Sequence, residues 1–449
     1  MSERKDSYTA ALEFILERSH LARGYITTPA LSSSNLELGL HRTRAVLDEL
    51  GAPDRALPIV HIAGSKGKGS TAAFADSIGR SAGYRAGLST SPHLHSYRER
   101  IVIDGVPISP EDFARVASEV QRTVLAFEQR NPNLGSITAF EILTVMALLA
   151  FAEAACDLAI VEVGLGGMYD STNVVVPAVS VITRLDLEHT NILGDTLAEI
   201  AKNKAGIIKP GVPCISAPQE RSALQVIEEV ARRNRSSLRV AGRDFWTSGA
   251  WPTFTWSTGD QQITELRTGM AGDHQVENAS LAIAAWESLA QVGLRATEDA
   301  VRQGLRRASL PGRYEQIELE QRTWILDGAH TPAAAAALAE LVLEEFGQPV
   351  YVIAGMLRDK HPAPFFEALA PAVDRLIVTT PKNPRAIAAP ELLLIASAVN
   401  PQVIARNDLE TAISTAIADV PVEHPIVITG SFTLVAEARE HFGLAIPER

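Results

Sequence analysis

An apolar run that passes straight into glycines and lysines constrains this chain more than any other stretch: Ile59-Val60-His61-Ile62-Ala63-Gly64-Ser65-Lys66-Gly67-Lys68-Gly69-Ser70-Thr71. Glycines let backbone N–H groups converge on an anion. A helix opening behind them adds aligned peptide dipoles, and Lys68 adds a point charge. Gly64, Ser65, Lys66, Gly67, Lys68, Gly69 and Ser70 are therefore candidate phosphate contacts. The spacing departs from G-x-x-x-x-G-K-[ST]: only Ser65 and Lys66 separate the first two glycines, and Gly69 stands between Lys68 and Ser70. The plain alternative is a tight strand–helix turn with incidental lysines. Two lysines and three glycines within eight residues weigh against it.

The surroundings of the loop set the fold class. Short β-branched runs at 59–63, 84–90, 158–163 and 179–183 alternate with helical stretches, the pattern of a parallel sheet covered on both faces. Upstream, residues 7–50 read as two helices separated by a loop at Ser32, Ser33, Ser34 and Asn35. Residues 242–268, with Trp246, Trp251, Phe254 and Trp256 among Gly, Thr and Ser, predict a small antiparallel insertion with its own core, and a helix follows over 278–292. A second alternating series has candidate strands at 324–327, 350–355, 376–380, 403–405 and 426–429, and an alanine-rich helix from Ala333 capped by Thr331-Pro332. Two α/β domains with a join near 295–311 are expected.

Composition narrows the function. The 449 residues carry 41 Lys+Arg and 53 Asp+Glu, a formal charge of −12, which argues against a nucleic-acid groove. The most membrane-like run, 142–155, contains Glu153 and falls short of the ~20 apolar residues a span needs. Cys156 and Cys214 offer neither a disulfide framework nor zinc spacing. The charged N-terminus has no signal-peptide stretch behind it, so a soluble, cytoplasmic protein is expected.

Three further residues stand out. Glu162 ends an apolar run and precedes Gly164-Leu165-Gly166-Gly167, so it lies where open α/β sheets bind ligands, and a cation or hydrogen-bond partner is expected beside it. His189, after Asp186 and Glu188, reads on its own as a surface loop histidine. Lys204, near a helix end, reads on its own as an exposed helical lysine.

Taken in order, HIAGSKGKGS (61–70), Ser91 to Leu94 with Glu99-Arg100-Ile101, EVGLGGMYDSTN (162–173), DLEHTNILG (186–194), IAKNKAGIIK (200–209), Pro311-Gly312-Arg313 and DGAHTP (327–332) cover most of the chain. This ordered set resembles the folylpolyglutamate synthase and dihydrofolate synthase family of the Mur ligase superfamily. The resemblance implies an α/β fold: a P-loop-containing central ATPase domain with a parallel sheet and N-terminal helices (1–300), and a smaller Rossmann-like C-terminal domain (301–449) that closes the nucleotide site. It implies ATP and two Mg²⁺ ions, with Ser91, Glu162 and His189 as metal ligands and Lys204 carbamylated. Asn278, Arg313, Asp327 and His330 match ATP contacts, and Lys68, Lys204, His189 and Arg313 are the catalytic candidates. Thr138, Ala139, Phe140 and Glu141, with Tyr169, Asp170 and Ser171 and less securely residues 36–39, match folate-binding segments. On their own, Asp327 could equally cap a helix and Arg313 join a surface ion pair.

The implied reaction activates a folate γ-carboxylate as an acyl phosphate and couples it to L-glutamate; small-molecule partners only, and a monomer, are expected. Lys66 in place of Asn, Met168-Tyr169 in place of Arg-Leu and Thr331 in place of Asn resemble eukaryotic-type folylpolyglutamate synthases. They predict that dihydropteroate is a weaker or absent acceptor, with a bifunctional enzyme as the alternative. A cell-wall-type Mur ligase is disfavoured because only 58 residues precede the first core strand. A non-catalytic nucleotide-binding subunit is disfavoured because Lys68, Ser91, Glu162, His189 and Lys204 are all present.

Overall fold

The buried apolar runs become the central strands of two separate sheets. The structure, a computed structural model, describes residues 2–27 and 33–446, and the chain divides into two units at Ala308/Ser309. The first sheet has eight strands: β1 (Ile59–Ala63), β2 (Ala86–Ser89), β3 (Val102–Ile103), β4 (Val106–Pro107), β5 (Leu158–Glu162), β6 (Val179–Ile182), β7 (Cys214–Ser216) and β8 (Leu238–Val240). Their order is β4-β3-β2-β5-β1-β6-β7-β8, parallel from β2 to β8 with β3 and β4 antiparallel at one edge. Strand β1 lies between β5 and β6, so the segments leaving all three meet at one edge of the sheet.

Both faces are covered. Ala159 and Val161 pack into a core with helices Pro110–Arg130 and Ala139–Glu153. The latter helix is apolar all round and buried, which is why its run reads as membrane-like. On the other face, helix Lys68–Ser81 packs against Asp273–Leu289, where the Trp286 indole N–H donates to the Ala75 carbonyl at 2.8 Å. The antiparallel insertion is a three-stranded sheet, β9 (Trp246–Ala250), β10 (Thr253–Ser257) and β11 (Gln262–Leu266), with Phe254 and Trp256 buried and Trp246 exposed.

The second unit holds β12 (Glu315–Leu319), β13 (Arg322–Leu326), β14 (Val350–Ala354), β15 (Val373–Thr379), β16 (Ile404–Arg406) and β17 (Ile426–Thr429) in the order β12-β13-β17-β14-β15-β16. All pairs are parallel except the β12–β13 hairpin.

Several expectations need correction. Ser33, Ser34 and Asn35 form the first turn of helix Ser33–Glu49 rather than a loop, in keeping with the preference of such residues for helix N-termini; Ser32 lies outside the described residues. The helix expected from Asn278 begins at Asp273, which puts Asn278 in its interior. The division at 308/309 lies inside the expected 295–311 join, a few residues past 300, because helix Glu298–Arg307 packs on Lys68–Ser81 with Gly304 against the Ile78 backbone. Strands β3, β4, β7 and β8 are too short for a period to register, and β12 alternates on an edge.

Candidate active site

The glycine–lysine loop leaves β1 and turns into helix Lys68–Ser81. Two glycines are dictated by close approach. A Cβ on Gly64 would lie 1.8 Å from Thr183 Oγ1, and one on Gly67 would lie 2.1 Å from Asn278 Oδ1. Gly67 also has φ +84°, in the left-handed region. Asn278 is thereby placed against the loop, its amide donating to Gln275 Oε1 at 3.0 Å. The Ser65 and Lys66 N–H groups both donate to the Arg184 carbonyl (3.0 and 3.1 Å), and Ser65 Oγ donates to the Asp186 carbonyl. These two amides hold the loop on the segment after β6. The N–H groups of Lys68, Gly69 and Ser70, in the first helical turn, are those that intrahelical bonding leaves for an anion.

Lys204 is the main surprise of burial. Instead of an exposed helical lysine it is 2% exposed, and its Nζ donates to the Gly64 carbonyl at 2.8 Å and pairs with Glu188 Oε1 at 3.0 Å. Lys68 Nζ donates to the same Gly64 carbonyl at 3.0 Å. Burial, helped by the Lys68 charge and opposed by Glu188, lowers the Lys204 amine to about 8. Two lysine nitrogens thus share one carbonyl oxygen, and Glu188 is paired with one of them.

Glu162 ends β5, buried, and Oε2 accepts from the Ser91 N–H at 2.9 Å. The Ser91-Pro92 peptide is cis. His189 is exposed, with a left-handed backbone (φ 47°) before the short helix Thr190–Leu193. Among the described residues no three His, Cys, Asp or Glu side chains gather as a ready-made metal cage.

The folate-matching segments divide. Phe140 lines a cleft with Ser91, Arg100, Thr144, Glu162 and Thr172. Thr138 and Glu141 instead form a capping box on helix Ala139–Glu153, and Glu141 Oε1 is locked to Arg42 at 2.7 Å in a buried pair. Burial pushes the Glu141 carboxyl up despite Arg42. Ala139 is buried in the same turn. Asp170 is also turned inward: its carboxylate accepts from Leu165 N, Thr172 N and Thr172 Oγ1 (2.9, 3.0 and 2.6 Å), and Ser171 is buried beside it. Because Thr172 Oγ1 gives its proton to Asp170, it accepts from His61 Nε2 at 2.9 Å, which fixes the tautomer of that buried imidazole. The carboxylates of Glu141 and Asp170 thus serve the fold, holding a helix start and a turn in place. Tyr169 is half-buried, and the Leu36 side chain lies outside the described residues.

In the second unit the Pro311-Gly312-Arg313 turn is tied to the segment after β13 by the Gly328 N–H, which donates to the Gly312 carbonyl at 2.9 Å. Asp327 accepts from the Tyr314 and Ala329 N–H groups, both at 2.8 Å, and His330 Nδ1 lies 2.7 Å from the Gly328 carbonyl. Sequence reasoning missed Arg42 and Glu188. Arg42 had no signal, its partner lying 99 positions away. Glu188 stood in the quoted DLEHTNILG segment without a role.

The region 111–286 matches the Mur ligase middle domain, and 312–432 matches the Mur ligase glutamate ligase domain. A dihydrofolate synthase/folylpolyglutamate synthase from Bacillus subtilis is 39% identical over 72% of this chain and 76% of its own length. The chain belongs to the folylpolyglutamate synthase/dihydrofolate synthase family of Mur ligases. A folylpolyglutamate synthase from Lacticaseibacillus casei, 33% identical, is matched over 89% of this chain and 93% of its own. The solved family member from Mycobacterium tuberculosis, complexed with ADP, superposes with a TM-score of 0.85 at 32% identity, covering 99% of this chain and 100% of that one. The family's α/β architecture, a large parallel-rich sheet followed by a second α/β unit, is the one described above. Among the described residues no helix is long and apolar enough to cross a membrane.

Proposed function

We propose that this chain is an ATP-dependent ligase that adds L-glutamate to the γ-carboxylate of a reduced folate, working as a cytoplasmic monomer on small-molecule substrates. Family membership supports the reaction class. The single structural observation that carries the reading is the convergence of the phosphate loop, Lys68, Lys204 and Glu162 at the edge where β1, β5 and β6 end.

A carboxylate oxygen of the acceptor attacks the γ-phosphorus of ATP. The bond from that phosphorus to the bridging oxygen breaks, and ADP leaves an acyl phosphate behind. The neutral amine of glutamate then attacks the acyl carbon, inorganic phosphate departs with the C–O electron pair, and the amide forms as the amine loses its proton. Catalysis of this kind is positioning plus charge stabilisation. The amides of Lys68, Gly69 and Ser70 and the Lys68 ammonium would cradle the phosphates, with Gly64, Ser65, Lys66 and Gly67 shaping the turn and Asn278 buttressing it. Arg313, Asp327 and His330 are assigned as further nucleotide contacts, and Phe140 and Tyr169 as acceptor contacts.

The donor set fits Mg²⁺. Ser91 and Glu162 are neighbours through the Ser91 N–H, a hydroxyl and a carboxylate are hard oxygen donors, and sparse protein ligation suits an ion that keeps waters and phosphate oxygens around it. Ser91, Glu162 and His189 would hold two such ions, which when bound would supply positive charge to neutralise the phosphates. Lys204 is assigned as carbamylated: its neutral amine attacks carbon dioxide, a C–N bond forms and one proton is released. Replacing an ammonium by a carbamate beside Glu188 calls for a cation between the two anions, and it relieves the crowding of positive charge at Gly64.

ADP release that requires ATP, tetrahydrofolate and glutamate together, with a product one glutamyl residue heavier, tests the assignment. Hydrolysis of ATP unaffected by the folate contradicts it.

A further inference from the structure

Arg313 is exposed, and a long exposed side chain loses rotamer entropy when it must hold one geometry. The structure supplies a surface that restrains it. The Arg313 guanidinium carbon stands 4.6 Å from the centroid of the Phe432 ring. The same ring meets His330 edge-on at 5.8 Å, and it lies so close to the backbone of the Asp327 segment that a Cβ on Gly328 would come within 2.4 Å of it. Phe432 is itself rigidly presented. It is the first residue of helix Phe432–His441, whose N-cap Ser431 accepts from the Leu434 N–H, and it directly follows the segment after β17. The Gly430 N–H donates to the Ala329 carbonyl, which ties the segments after β13 and β17 together. The ring is half-buried, with one part against Gly328 and another under Arg313.

We propose that Phe432 is a positioning residue for Arg313: the ring orders the guanidinium beside Asp327 and His330 before nucleotide arrives. This rests on the reading of Arg313 as a phosphate contact. A guanidinium is attracted to an aromatic face by the ring's quadrupole, while leucine offers similar apolar bulk without that face.

The test is a double-mutant cycle read as kcat/KM for ATP at saturating folate and glutamate. Phe432→Leu alone is expected to lower kcat/KM about three- to fivefold, the size of an exposed cation–π contact, while Phe432→Tyr stays within about twofold because the face is kept. In an Arg313→Ala background Phe432→Leu is expected to add nothing, because the group it positions is gone. Equal losses from Phe432→Leu in both backgrounds, or no loss in the otherwise native chain, overturn the proposal while leaving the ligase reading standing. Arg313→Ala without effect on kcat/KM removes the Arg313 assignment itself. Should Phe432→Leu lower the melting temperature, Phe432→Met takes its place in the cycle. The ring-current shift of the Arg313 side-chain protons in the native chain is an independent check: upfield-shifted resonances are expected, and random-coil positions contradict the stacking.

Discussion

Lys68 and Lys204 place two nitrogens on one carbonyl oxygen, that of Gly64, and each makes a prediction at the residue scale. Lys68→Ala removes a charge-assisted phosphate contact worth about 3 kcal/mol and is expected to lower turnover by about a hundredfold or more. Its one hydrogen bond within the fold is to a loop carbonyl, so the melting temperature is expected to hold. Activity within tenfold of the native enzyme contradicts the loop assignment. For Lys204 the reactive form is the neutral amine. Because burial lowers its titration from 10.5 to about 8, that form is populated above pH 8 and depleted below it. With ¹³C-bicarbonate, a carbamate carbon resonance is expected to grow as pH is raised through 8 and to be absent in Lys204→Ala. A carbamate signal that is missing in a demonstrably active enzyme refutes the modification. The lysine's identity was legible in the sequence through IAKNKAGIIK; its burial was not, because helical position says little about what a loop from another strand lays over it.

Between elements, the buried Arg42–Glu141 pair joins helix Ser33–Glu49 to helix Ala139–Glu153. Arg42→Ala leaves Glu141 buried without its counter-charge and is expected to cost about 3–5 kcal/mol of stability, measured by chemical denaturation. A loss under about 1 kcal/mol would mean that the pair contributes little. Strand β1 carries a second test. Burial holds His61 down to about 3, against 6.5 for a free imidazole. Between those values the unfolded chain binds a proton that the folded one does not, so the stability is fully present above pH 6.5 and falls as pH drops toward 3. Denaturation midpoints at pH 7 and pH 5 are expected to differ less in His61→Gln than in the native chain, and equal differences refute this. Glu141 and Asp170 show where reading by motif stops. Thr138-x-x-Glu141 is a capping-box pattern visible in the sequence, yet the family match suggested a ligand. A sequence does not say whether a carboxylate faces a ligand or the amides of its own turn.

Over the whole molecule, most of the fold was legible because its parallel strands are buried on both faces and read as unbroken apolar runs; β17 was expected over the residues it occupies. The short strands β3, β4, β7 and β8 were not, since none carries enough period to register, although the three-residue edge strand β16 falls within one residue of its expected place. The glycine–lysine loop and Asn278 were singled out in the sequence, and the structure brings them into contact. The acceptor's identity is the least legible part. Met168-Tyr169 stands where the resemblance to the common bacterial pattern implies Arg-Leu, and losing one polar contact of that kind is worth about 1–3 kcal/mol. kcat/KM for dihydropteroate is therefore expected to fall about tenfold or more below that for tetrahydrofolate; equal values would make the enzyme bifunctional and leave the ligase chemistry intact. The central claim is tested most directly by mass spectrometry of the folate pool after incubation with ATP, Mg²⁺, tetrahydrofolate and L-glutamate. A species heavier by one glutamyl residue is expected, formed one for one with ADP and lost in Lys68→Ala. ADP formed without any glutamylated folate would contradict it.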